Sequence, residues 1–253
     1  GVRMRLEALS ARNDKGVEAL KEFSLELHAG EIVGLAGVDG NGQKELCEVL
    51  TGLRPSSGGR ILLDDQDISG RDPAFYIEQH ISHIPEDRHT TGLAMNWSLK
   101  NNLILKQLGR EPVSRHHLVQ KKVAEEIWDK AHSEYQIKAI SGDDLARALS
   151  GGNQQKVILA REINSDPRVL IANQPTRGLD VGAAEYVRTK ILEARNSGTS
   201  CLLVSADMEE LLQLSDRIAV IYGGQLMGIL PRGADPMAIG RLMMGKREQE
   251  VGA

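Results

Sequence analysis

Apolar positions along the chain recur with two periods, and their order predicts a layered fold. Over residues 4–26, short apolar alternations are broken by polar turns such as Arg12-Asn13-Asp14-Lys15-Gly16, the pattern of antiparallel strands. Glu31-Ile32-Val33-Gly34-Leu35-Ala36 is a short apolar strand. It runs into a glycine-rich loop at residues 37–42, then into a helix with Leu46, Val49 and Leu50 on one face. Asp72-Pro73 reads as a helix N-cap followed by proline at the first helical position, and a strand at residues 80–85 follows. Residues 93–149 differ. They carry many charges and few strand signals, and Val123, Ile127 and Ala131 fall at helical spacing, so a helical insertion is predicted. Beyond it the pattern predicts a helix at 157–163, a strand at 169–172 and a helix at 183–195 stopped by Gly198. A strand at 201–204 follows, then a closing hairpin of 218–221 with 225–229 around Gly223-Gly224. Strands alternating with helices imply a largely parallel sheet covered on both faces.

A chain of 253 residues suffices for one large domain with a sizeable core. Its 31 basic and 35 acidic residues leave a net charge of −4 without a basic block, so nucleic acid is not an expected partner. Cys47 and Cys201 lie in apolar segments far apart and read as buried, reduced thiols. No run of about 18 apolar residues occurs, so any membrane link is expected to come through a partner. The chain opens on Gly1 with strand-like sequence almost at once, which suggests a piece of a longer protein.

Strand, glycine-rich loop and helix in succession is the layout of a phosphate-binding P-loop. Glycines let backbone N–H groups approach phosphate, and the helix N-terminus adds positive potential. The loop reads Gly37-Val38-Asp39-Gly40-Asn41-Gly42-Gln43-Lys44-Glu45. An intact motif has Lys, then Ser or Thr, after the third glycine. Here Gln43 stands at the lysine position and Lys44 at that of the Mg²⁺-binding hydroxyl. A charged hydrogen bond contributes about 1.5–3 kcal/mol, so a neutral Gln weakens phosphate binding roughly 10- to 150-fold. Lys44 offers no oxygen to a metal, and it lies about 100° of helix rotation from the lysine position. A dinucleotide-binding Gly-x-Gly-x-x-Gly fails at Glu45. Taken alone, the loop also fits an ordinary βα turn.

A second constellation is more specific. Leu149-Ser150-Gly151-Gly152-Asn153-Gln154-Gln155-Lys156 resembles, without a gap, the signature sequence of ATP-binding-cassette (ABC) ATPases. Ser150, Gly151 and Gly152 present a hydroxyl and bare N–H groups at the positive end of a helix. Further landmarks follow in the family's order. Val169-Leu170-Ile171-Ala172-Asn173-Gln174 resembles the Walker B strand, which normally ends in Asp-Glu. Arg177-Gly178-Leu179-Asp180 resembles the D-loop. Ser205 is followed by Ala206 where the switch histidine belongs, and Ile84-Pro85-Glu86-Asp87-Arg88 resembles the Q-loop with Glu86 in place of Gln. No aromatic occurs between Gly1 and Lys21 to stack on adenine.

The resemblance spans roughly residues 4–245. Four strings tie it to the second ATPase half of fused importers for simple sugars or nucleosides: Pro85-Glu86-Asp87-Arg88, the signature octet, residues 175–183, and the ending at residues 239–245. It implies a RecA-like α/β P-loop core with a mostly parallel sheet, an N-terminal antiparallel β layer and a helical subdomain. On this reading residues 1–253 form one nucleotide-binding domain, with core at 1–92 and 150–253 and helical subdomain at 93–149. It implies no catalytic residue in the chain's own site, whose positions Gln43, Lys44, Asn173, Gln174 and Ala206 have lost their chemistry. Gly37, Gly40, Asn41, Gly42, Gln43 and Lys44 would form a degenerate nucleotide site. Ser150, Gly151, Gly152, Asn153 and Gln154 would face a partner's ATP, and Glu86 and Asp180 would lie at interfaces. The implied cofactors are ATP and, mainly at the partner half's site, Mg²⁺. The implied partners are an N-terminal ATPase half of the same polypeptide, transmembrane permease subunits and, indirectly, an extracytoplasmic solute-binding protein. The expected location is the cytoplasmic face of the cell membrane. A soluble ABC-type ATPase and a regulatory nucleotide-binding module remain the alternatives.

Overall fold

The computed structural model describes residues 1–116 and 118–246. The chain begins with long strands β1 (Val2–Arg12) and β2 (Glu18–His28), then β3 (Ile32–Ala36) and helix α1 (Gln43–Leu50). Short strands β4 (Gly58–Leu63) and β5 (Gln66–Asp67) precede α2 (Pro73–Glu78) and β6 (Ile81–Ile84). Next come α3 (Leu99–Ile104), the two-residue strands β7 (Ser114–Arg115) and β8 (Leu118–Val119), and α4 (Lys121–Glu134). Then follow α5 (Gly151–Ile163), β9 (Val169–Asn173), α6 (Val181–Asn196) and β10 (Ser200–Val204). The last elements are α7 (Met208–Leu214), β11 (Arg217–Tyr222), β12 (Gln225–Pro231) and α8 (Pro236–Met243).

The chain divides into two compact units. The first comprises Gly1–His83, Pro167–Gln174 and, of the described residues, 191–246. Among its described residues one sheet runs β12-β11-β3-β10-β9-β6 and another β2-β1-β4-β5. In the first sheet β3 lies between β10 and β11, parallel to both. β12 turns back antiparallel along β11. Every residue of β3, β9 and β10 is buried, which is why these strands read as continuous apolar runs. The second sheet is the antiparallel layer: Leu6 of β1 faces Leu25 of β2 on one side and Ile61 of β4 on the other. Its apolar face joins Leu46 and Leu50 of α1 and Ile171 of β9 in one core cluster. Burying each such aliphatic side chain contributes roughly 1.5–3 kcal/mol. The architecture is the mixed α/β fold with a mostly parallel sheet and an antiparallel layer that the sequence implied.

The second unit, Ile84–Asp166 with Pro175–Lys190, is mainly helical. Ile104, Val113 and Ala124 form a small core there, with Val123 and Ile127 packed against it. It also holds the antiparallel pair β7–β8, which two-residue strands give no period to announce. Helices α7 and α8, 7 and 8 residues long, are not among the elements the apolar pattern predicted. Local chemistry marks their starts instead: the Asp207 carboxylate accepts from the Glu209 and Glu210 N–H groups, and that of Asp235 from the Met237 N–H. No helix of the described residues is long and apolar enough to cross a membrane.

Candidate functional site

In the first unit, β3 delivers the chain into the loop at residues 37–42, and α1 starts at Gln43 immediately after it. Gly42, the N-cap, has φ +107°, and a Cβ there would lie 2.5 Å from the Ala19 carbonyl oxygen. Only glycine serves at this position. Gln43 is buried at 8 % exposure. Its side chain turns back into the loop: Oε1 accepts from the Asn41 N–H at 3.1 Å, and Nε2 donates to the Val38 carbonyl at 3.0 Å. Asn41 Nδ2 donates to the same carbonyl at 2.7 Å. Asn41 Oδ1 accepts from the Gly223 N–H at 2.6 Å, fastening the loop to the β11–β12 turn.

Lys44 is exposed and points elsewhere. Its Nζ lies 3.5 Å from an Asp14 carboxylate oxygen and 3.7 Å from one of Glu48. Arg54 completes the cluster, donating to Asp14 at 2.6 Å and Glu48 at 2.7 Å. The Arg54 hydrogen bond and charge, with the charge of Lys44, hold the Asp14 carboxyl below its ordinary value. At the end of β9, Asn173 is buried, and Gln174 adopts φ +49°. The Gln174 N–H donates to the Val204 carbonyl at 2.7 Å, and its side-chain Oε1 accepts from the Ala206 N–H at 3.0 Å. Two neutral side chains and a methyl therefore stand together at the ends of β9 and β10.

In the second unit, Ser150 is the exposed N-cap residue of α5. Its hydroxyl does not cap the helix; it accepts from Asn153 Nδ2 at 3.0 Å. Asn153 Oδ1 in turn accepts from the Lys138 N–H at 2.8 Å. Gly151 and Gly152 follow at the helix start. A Cβ on Gly152 would lie 3.1 Å from that of Ala183, so a larger residue there must displace its neighbour. Gln154 is buried, with Oε1 3.1 Å from His89 Nε2 and Nε2 donating to the Ala146 carbonyl at 3.2 Å. The open surface at the start of α5 thus consists of Ser150, Gly151, Gly152 and Asn153.

The Arg88 guanidinium stands beside that surface, with Nη2 3.5 Å from where a Gly151 Cβ would be. Its Nη1 donates to the Arg177 carbonyl at 2.7 Å, and Arg177 is ion-paired with Glu86. Asp180 is exposed and accepts from the Ala183 N–H at 2.9 Å, capping α6. The other end of α5 holds a buried ionic cluster that the sequence reading missed. Glu162 is fully buried, 2.5 Å from Lys106 Nζ and 2.8 Å from Arg161 Nε. Arg161 Nη2 donates to the Gly92 carbonyl at 2.8 Å. Burial alone would raise the Glu162 carboxyl, but Lys106 and Arg161 outweigh it and bring it to about 2. An Arg-Glu pair inside the apolar stretch 157–163 is the available signal.

The profile of the family described as "ABC transporter" matches residues 20–177, more than half of the chain. The guanosine import ATP-binding protein NupO of Bacillus subtilis is 42 % identical across 98 % of this chain and 49 % of its own length. The nucleoside import ATP-binding protein NupA of Lactococcus lactis is 40 % identical across 96 % of the chain and 48 % of its own length. The ribose import ATP-binding protein RbsA of Lacticaseibacillus paracasei is 37 % identical, over 92 % and 46 %. The chain therefore spans about half the length of these curated relatives. Among solved structures, a nucleotide-free ATP-binding cassette from an ABC transporter superposes with a TM-score of 0.79 at 20 % identity, covering all of both chains. A dimeric post-hydrolysis cassette bound to ADP and Pi gives 0.78 at 18 %, covering 92 % of this chain and all of its own. The chain belongs to the ABC transporter family, and its fold is that of the family's ATP-binding cassettes.

Proposed function

We propose that this chain is the second nucleotide-binding half of an importer for nucleosides or simple sugars, and that it lends its signature surface to ATP held by the first half while its own site is hydrolytically silent. The observation that carries the proposal is an asymmetry between the two candidate surfaces. The start of α5 presents the exposed Ser150 hydroxyl and the part-buried Gly151 and Gly152, with the Arg88 cation beside it; it is suited to a phosphate. The loop before α1 is not. Its lysine position holds a neutral Gln whose carboxamide is turned onto the loop's own backbone. Lys44, at the hydroxyl position, is held by Asp14 and Glu48 and cannot ligate Mg²⁺. Asn173 and Gln174 supply neither a carboxylate for the Mg²⁺ shell nor one to orient an attacking water, and Ala206 brings no imidazole. These residues do not fit a hydrolysable Mg²⁺-nucleotide. Mg²⁺ chemistry is assigned to the partner half.

The lengths of the curated relatives and their import names support a fused polypeptide with a first ATPase half. Permease subunits at the cytoplasmic membrane face and an extracytoplasmic solute-binding protein complete the proposed assembly. Within it, residues 93–149 are the helical subdomain, and Glu86 and Asp180 face partners. The test is a pair of variants in the full-length importer, with ATP hydrolysis and solute uptake both measured. Gln43→Ala is expected to leave both rates within about twofold, since hydrolysis does not occur at that loop. Gly152→Asp is expected to abolish both, because a carboxylate would face the γ-phosphate. Collapse of turnover in the Gln43 variant would overturn the division of labour.

A further inference from the structure

We infer that Gln43 is an internal ligand of the loop at residues 37–42, so that polyphosphate is excluded by occupancy of the cradle as well as by missing charge. The inference rests on the reading of this loop as a former phosphate cradle. Its support is the placement of one carboxamide. Oε1 takes the Asn41 N–H, a backbone donor of the loop, and Nε2 binds the Val38 carbonyl. The same Nε2 lies 2.7 Å from where a Gly37 Cβ would stand, so the amide fills the loop and does not hang over it. A carboxamide offers both a donor and an acceptor here, whereas a phosphate brings only acceptors. An entering phosphate would have to strip Gln43 from two partners.

Asn41 determines what removal of Gln43 would leave. Its Nδ2 independently donates to the Val38 carbonyl, and its Oδ1 fastens the loop to Gly223. Without the Gln43 carboxamide, the Val38 oxygen keeps a donor, the loop keeps its anchor, and the Asn41 N–H is released for an anion. Deleting a polar side chain from this site should therefore improve phosphate binding. If Gln43 instead served the nucleotide as a weak phosphate donor, the same deletion would weaken binding.

Isothermal titration of the purified chain with ATP, and separately with inorganic pyrophosphate, distinguishes the two signs. Gln43→Ala is expected to bind both probes roughly 5- to 150-fold more tightly than the unaltered chain, the range for two released hydrogen bonds. An equal gain for the two probes assigns the ligand class as free polyphosphate, and a larger gain for ATP assigns it as nucleotide. Unchanged or weaker binding of both probes overturns the inference. Amide hydrogen exchange on the unaltered chain tests it without a mutation. The Asn41 N–H should be protected with no ligand present, and unprotected exchange there would refute internal occupancy. Neither measurement involves the start of α5, so failure here is separable from failure of the proposed signature donation.

Discussion

Replacing Glu162 by Gln removes a carboxylate shared by two cations in the helical unit. Glu162 is fully buried, and Lys106 and Arg161 both bond to it. Its carboxyl lies at about 2, against 4.5 for the ordinary group, and a gap of about 2.5 units at ~1.36 kcal/mol each is about 3 kcal/mol. Removing one partner of a buried ion pair typically costs about 3–5 kcal/mol. Gln keeps the shape and one acceptor, so the expected loss at pH 7 is about 3 kcal/mol. Urea unfolding followed by circular dichroism measures it. The sign of the pH dependence follows from the lowered carboxyl. Its contribution is fully present above about pH 4.5 and is lost as pH falls towards 2, about 1 kcal/mol of it by pH 4 and about 2 by pH 3. The unaltered chain should therefore lose its advantage over Glu162→Gln on acidification. A variant within 1 kcal/mol of the unaltered chain at pH 7, or a gap that does not narrow with acid, would refute the assignment. The cluster bears on function because Arg161 also holds the Gly92 carbonyl, tying α5 to the segment that follows Glu86.

Three further outcomes are expected. Gly42→Ala combines a φ of +107° with a Cβ 2.5 Å from the Ala19 oxygen, so it should destabilise by about 2 kcal/mol or more in urea unfolding. Cys47 and Cys201 are buried, and burial pushes both thiols up to about 12. Neither should react with Ellman's reagent at pH 8 until the chain is unfolded, when both should. Arg54→Ala removes hydrogen bonds to Asp14, Glu48 and the Arg12 carbonyl from a side chain only 13 % exposed, so it should cost about 1–3 kcal/mol in urea unfolding.

The fold was legible wherever burial imposed a period. β3, β9 and β10 are buried on both faces and read as apolar runs, and the β1–β2 layer alternated. Elements governed by local chemistry were harder to see. β7–β8 is too short for any period, while α7 and α8 are marked by local signals, Asp207 and Asp235-Pro236. The candidate surfaces were legible as motifs because glycine and hydroxyl positions at a helix start have few other uses. Where the polar side chains go was not legible, since a carboxamide at position 43 reads the same whether it points out to a ligand or back to Val38. Nor could spacing reveal that Arg88 and Gly151, or Lys106 and Glu162, come together, because those contacts depend on chain separations of about 60 residues closing in the folded unit.

The start of α5 is proposed to serve a nucleotide bound by another domain. Gly152→Asp is an imperfect probe of it, because any Cβ there crowds Ala183. Ser150→Asp is cleaner: Ser150 is exposed, and Asp is as favourable as Ser at an N-cap, so the helix is preserved while a carboxylate replaces the hydroxyl. The decisive measurement is ATP hydrolysis by the full-length protein carrying Ser150→Asp, with thermal unfolding as the folding control. A loss of at least 100-fold in kcat, about 3 kcal/mol, is expected at an unchanged melting temperature. Wild-type hydrolysis by that variant would contradict it.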